Sequence, residues 1–282
     1  MSHRAGARET RVGVAGAAAF VALTAVALAA GTSAKLLGIA WVAFAAMAGA
    51  AALGARAAET SPRGLVWGYG LASGAMVTSA AVFLVPPAVG HHEAAGGFGV
   101  AAGLLAGFAG HTVGHRLSHR DLPLDRTVAE LAAHSLSAGT IIGAVYATMP
   151  SLGPLLGLAI VSHKGPAGYA AARRLRARGG SVAALLLPAS GVGVAAIAVD
   201  LLAPPISATA RGAVFGFAAG VFLHVAMDFL PRCETGSEVH DAVAAGDHGD
   251  EHAHARLDRL RVQAVLSTVV GGVAVFAAWA VV

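Results

Sequence analysis

The stretch LLGIAWVAFAAMAGAAALGARA, residues 36–57, decides the fold, because it runs for twenty residues before its first charge, Arg56. A helix rises about 1.5 Å per residue, so such a run crosses the roughly 30 Å hydrocarbon core of a bilayer. Eight further runs of similar length and polarity lie on either side of it, at approximately 12–31, 64–85, 96–115, 127–149, 152–172, 182–203, 212–230 and 262–282. The fold class is therefore all-α: a polytopic membrane helix bundle. Alanine and glycine dominate the runs, and small residues let helices approach closely where packing replaces the hydrophobic drive.

Composition excludes other classes. With 56% hydrophobic and 12% charged residues over 282 positions, the chain has about half the charge of a typical soluble domain. The net charge of +4 does not indicate nucleic acid, because the arginines cluster at the ends of apolar runs. The single cysteine, Cys233, rules out an intramolecular disulfide and a multi-cysteine zinc site.

The cationic residues order the spans. If the runs cross alternately, one side collects Arg4, Arg8 and Arg11, then Arg56 and Arg63, then Arg116, Arg120 and Arg126, then Arg173, Arg174, Arg176 and Arg178, then Arg232, Arg256, Arg259 and Arg261. The other side holds only Lys35 and Arg211, and Lys164 lies within a span. By the positive-inside rule the N-terminus is cytoplasmic and the C-terminus outside, in a multi-pass protein of the cell membrane. The first run has two readings: a retained helix, favoured by its length, or a signal peptide ending in the small residues around Ala30–Ala34.

Three histidines lie inside apolar runs: His134 in AAHSLSAGTIIG, His163 in AIVSHKGPAGYA and His224 in VFLHVAMDFLP. An ionisable residue at membrane depth is costly without a partner or a function, and neutral imidazole is the commonest metal ligand. Glu130 precedes His134 by one turn and Asp228 follows His224 by one turn, so each carboxylate shares a helix face with its imidazole. Counting residues from the run ends puts all three histidines in one layer at or just inside the midplane. Each histidine alone has an equally simple reading, as a donor to a neighbouring carbonyl or serine.

HSLSAG at 134–139 and HKGPAG at 163–168, on consecutive helices, resemble the paired signatures of the ZIP (Zrt/Irt-like) metal transporters. GLASGAMVTSAAVFLVPPA at 70–88 and FGFAAGVFLHVAMDFLP at 215–231 are similar to that family's second and seventh core helices. The resemblance covers residues 64–282, with 1–63 supplying an N-terminal arm and one or two spans. It implies an eight-helix core plus one extra N-terminal helix, a substrate path between the runs 127–149 and 152–172, and Met76 as a ligand beside His134 and His163. His224, Asp228 and Glu130 come next. Pro166, with Gly165 and Gly168 around it, deprives a carbonyl of its partner and reads as a broken, site-forming helix. The chain departs from the family where glutamates are expected, with Ala138, Ala167 and Ser190, and it carries Lys164 and Ser135 in place of other ligands. Lys164 is thus read as a fixed positive charge beside a single metal position.

The ligand set suits a borderline divalent cation, zinc first, carried as substrate with no prosthetic group. No G-x-x-x-x-G-K-[ST] loop occurs, so ATP is not implied. Auxiliary histidines stand at His111, His115 and His119, one stripe at four-residue spacing, and at His248, His252 and His254 in an acidic cytoplasmic loop read over 232–260. The function these residues point to is a carrier for a divalent metal cation, not an enzyme, working with the metal ion and the lipid bilayer and not with nucleic acid; the resemblance leaves room for a homodimer. Two other readings stay open: a membrane-embedded zinc-dependent hydrolase, with Ser137 near the ligands, and a non-transporting metal sensor.

Overall fold

In a computed structural model, residues 2–56, 62–117, 124–149, 154, 157, 164–202, 207–231 and 250–281 are described, and among them there is no strand. The helices are α1 (Ser2–Ala30), α2 (Ala34–Arg56), α3 (Pro62–Ser79), α4 (Val85–His91), α5 (Glu93–Leu117), α6 (Arg126–Thr148), α7 (Lys164–Ala177), α8 (Leu186–Leu202), α9 (Ala208–Asp228) and α10 (Asp250–Val281). Eight helical stretches among the described residues are long and apolar enough to cross a membrane. The chain is therefore a multi-pass helical membrane protein. The remaining expected span, 152–172, falls largely outside the described residues, and its described end, α7, continues to Ala177.

Local chemistry explains the helix ends. Gly31 has φ +80°, and the amides of Gly31 and Thr32 bond back to Leu28 and Ala27, closing α1 with a left-handed glycine cap. Gly179, at φ +73°, closes α7 in the same way, with Gly180 bonded to Leu175. Asp125 caps α6 by accepting from the Thr127 amide at 2.8 Å, and Ser207 caps α9 through the Ala210 amide at 3.2 Å.

Several elements run longer than their sequence suggests, among them α1, which includes Ser2 and not only residues from 12 onward. The run expected to stop at Val85 continues to His91, because one widened π turn, Ala80–Leu84, absorbs Pro86 and Pro87. Prolines clash with the carbonyls four residues back, and a single π turn relieves that without ending the helix. The last helix already includes Asp250 and does not start near residue 262, so 250–260 is helix and not part of a loop. Its polar sequence there conceals an apolar stripe: Leu257, Leu260 and Ala264 are buried against Val66 of α3.

The helices form two groups. One contains α3, α4, α5, α9 and α10, with α9 on α5 and α10 on α3 as its main contacts; the other contains α1, α2, α6, α7 and α8, with α6 on α8 and α2 on α7. Inside each group the backbones touch. A Cβ at Gly99 or Gly103 would run into the backbone of Ala213 or Phe217, and one at Gly216 or Gly220 into Gly96 or Val100. Gly139 and Gly143 lie equally close to Val192 and Ala196, and Gly168 to Met47. Between the groups the main contacts are α6 with α9 and α3 with α7. There an apolar core joins Leu36, Ile142 and Tyr146 to Met76, Leu84 and Phe215 through their side chains.

Candidate functional site

The seam between the groups opens into a groove of about 1560 Å³, walled by α5 and α9 on one side and α6 and α7 on the other. His134, Glu130 and Ser137 line it from α6, and His224 and Asp228 from α9. The sequence pairing holds in space. His224 Nε2 lies 3.3 Å from Asp228 Oδ2, one helical turn away, with the imidazole mostly buried and the carboxylate more open. Glu130 is exposed on the groove wall one turn from half-buried His134. His134 and His224, from opposite groups, line the same groove.

The His224 ring needs space that only glycine leaves. A Cβ on Gly107 of α5 would come within 2.5 Å of its Cδ2 atom. Gly107 extends the spacing of Gly99 and Gly103 by one turn, so the stripe that brings α5 onto α9 also seats the imidazole. Sequence reading missed this residue, although that four-residue glycine spacing was the signal for it.

Lys164 is 1% exposed, and its Nζ donates to Ser135 Oγ, itself wholly buried, at 3.0 Å. Ser135 is the neighbour of His134, but it points behind α6 while His134 points to the groove. The Lys164 amine is thus held behind the histidine's helix and outside the open space. Met76 is also wholly buried, within the apolar core of α3, α6 and α9, and is not among the groove-lining residues. Ala167 lines the groove and Ala138 lies in the core. The Ser190 hydroxyl is turned onto the carbonyls of Leu186 and Leu187 in its own helix. Pro166 lies on α7, whose description starts at Lys164, so the turn before it, where the break was expected, falls outside the described residues.

His163 lies outside the described residues, as do His119 and His248. His111 and His115 fall on α5, and His252 and His254 on α10, with side chains outside what is described. Among the described residues, no three His, Cys, Asp or Glu side chains are placed together to hold a metal ion. Ser137, the candidate for a hydrolase, donates to the carbonyl of Ala133 in its own helix at 3.0 Å.

Several groove residues carried no sequence signal as site residues. Arg174 on α7 and Arg178 in the turn just past its end line the groove's arginine-rich end together with Tyr69 and Phe229. Thr140 lines the other half, its hydroxyl donating to Leu136 in its own helix. What fold and site define together is a multi-pass α-helical membrane protein with two helix groups around an ionisable groove. No protein-family model matches the chain, and no curated protein matches it.

Proposed function

We propose that this protein is a carrier for a divalent metal cation, zinc first, that binds one ion in the seam and exposes it alternately to the two faces of the membrane. The observation that carries the reading is the convergence of His134 on α6 and the His224–Asp228 pair on α9 from opposite groups onto one groove. Imidazole nitrogen and carboxylate oxygen are the donors that zinc accepts. Ligands divided between two groups come together or part as the groups shift, which couples ion affinity to conformation. The resemblance to the ZIP transporters, which implies His163 as a further ligand, supports the same substrate class.

The arginine distribution favours a cytoplasmic N-terminus in the cell membrane. Lys164 then acts as a fixed charge beside the ion. It keeps affinity low enough for release, because a like charge in a poorly screened interior weakens cation binding.

The test is uptake of radioactive zinc into liposomes holding the purified protein. Saturable uptake is expected, reduced about tenfold or more in His134→Ala and in His224→Ala, the scale on which losing part of a coordination shell acts. Failure of the unmodified protein to move any divalent cation overturns the proposal.

A further inference from the structure

A second pair of metal-binding side chains meets across the same seam, at the arginine-poor face. His91 ends α4 and Met149 caps the C-terminal end of α6, so one belongs to each helix group. The His91 Nε2 atom lies 3.4 Å from the Met149 Sδ atom. Both residues are partly exposed. The imidazole leans on the buried Phe215 ring, with centroids 5.9 Å apart, which limits its rotation. The Met149 backbone is held by the hydrogen bond that its N–H donates to the Val145 carbonyl at 2.8 Å.

We propose that His91 and Met149 form a binding site for a soft metal cation at this mouth of the seam. Thioether sulfur and imidazole nitrogen are the donor pair that soft ions such as Ag(I) and Cu(I) prefer. The spacing is close to that of a shared ion: zinc-like bonds of about 2.3 and 2.0 Å at a tetrahedral angle hold sulfur and nitrogen about 3.5 Å apart, and the longer bonds and wider angle of Ag(I) require the partly exposed Met149 side chain to swing outward. The sulfur cannot donate, so the present contact places the imidazole hydrogen on Nε2. On binding, that hydrogen moves to Nδ1 and the freed Nε2 lone pair goes to the metal; both tautomers are neutral, so no net proton is released.

The surroundings make the site weak. Tyr146, one turn before Met149 on the same face of α6, carries the Lys35 ammonium 5.9 Å from its ring centroid. His92 accepts from the Ala95 amide and caps α5, which leaves Glu93 as the neighbouring carboxylate. A role as the first contact of the transported ion rests on the carrier reading; the site itself does not.

The full chain, labelled with ¹³C at the methionine ε-methyl groups, is titrated with Ag(I) in detergent. Its five methionines give few signals, and the near-isosteric Met149→Leu identifies the one of interest. The Met149 methyl is expected to shift at a lower Ag(I) concentration than that of Met227, which is 51% exposed. His91→Ala raises the half-shift concentration by about tenfold or more. As a check independent of the histidine variant's folding, Met149→Leu binds one Ag(I) fewer per chain. Coincident shifts of Met149 and Met227, an unchanged midpoint in His91→Ala, or unchanged stoichiometry in Met149→Leu overturns the site. A Met149 shift in a protein that moves no divalent cation keeps this site and defeats the carrier reading instead.

Discussion

The interiors of the two helix groups and the seam between them are packed by different means. Within the groups, glycines bring backbone onto backbone: Gly103 on Phe217, Gly139 on Val192, Gly168 on Met47. Across the seam, side chains meet side chains, in an apolar core on one side and a polar groove on the other. Close backbone contact has one low-energy register and resists sliding, because interiors at crystal-like density do not deform continuously. Side-chain contacts repack at lower cost. The difference makes the seam, which the ionisable residues line, the interface that repacks at lower cost than the interiors of the groups.

Substitutions separate the two kinds of packing. The largest effect is expected from Gly103→Leu, which forces α5 from α9 and costs roughly 3 kcal/mol or more; thermal unfolding in detergent reads it. Gly49→Ala is the control, since nothing lies within 4 Å of a Cβ there, and its melting temperature should not fall. If both melt alike, backbone contact is not what holds the group.

Next in size is Ser135→Ala, which removes the hydrogen bond to the buried Lys164 ammonium and should cost about 2 kcal/mol. Lys164→Met in the same background should recover most of that loss, because the unsatisfied charge has gone. A double variant no more stable than Ser135→Ala would show that the ammonium is not what Ser135 stabilises.

Gly107→Ala tests the seam directly. The added methyl displaces the His224 ring and should lower zinc uptake about tenfold, with a loss of stability of about 1–3 kcal/mol. Uptake equal to that of the unmodified chain would remove His224 from the ion's path. The smallest effect is expected for Ser73→Ala. Its hydroxyl donates to the Ala226 carbonyl at 2.7 Å between two helices of one group, and such bonds are worth about 0.6 kcal/mol in membranes. Its uptake should match that of the unmodified protein.

Much of this was legible in the chain. The i, i+4 pairing of His224 with Asp228 follows from helical geometry alone, and the structure places the two at 3.3 Å. Asp250–Leu260 was not legible as helix, because its two buried apolar positions, Leu257 and Leu260, sit among charges and gain their energy against Val66. Met76 shows the same limit from the other side. A methionine in a membrane helix reads equally as ligand or as filler, and its position in the core of α3, α6 and α9 is a property of the bundle.

By itself the sequence determined an all-α, multi-pass membrane protein, the position of most spans, and which polar residues share a helix face. Those properties depend on hydrocarbon thickness and a 3.6-residue period, both local along the chain. Tertiary structure alone decided that the helices divide into two groups, that His134 and His224 face one groove, that Gly107 seats the second ring, and that His91 meets Met149. Each of these depends on which helix lies against which, and that is set by the fit of small residues across interfaces between segments distant in sequence.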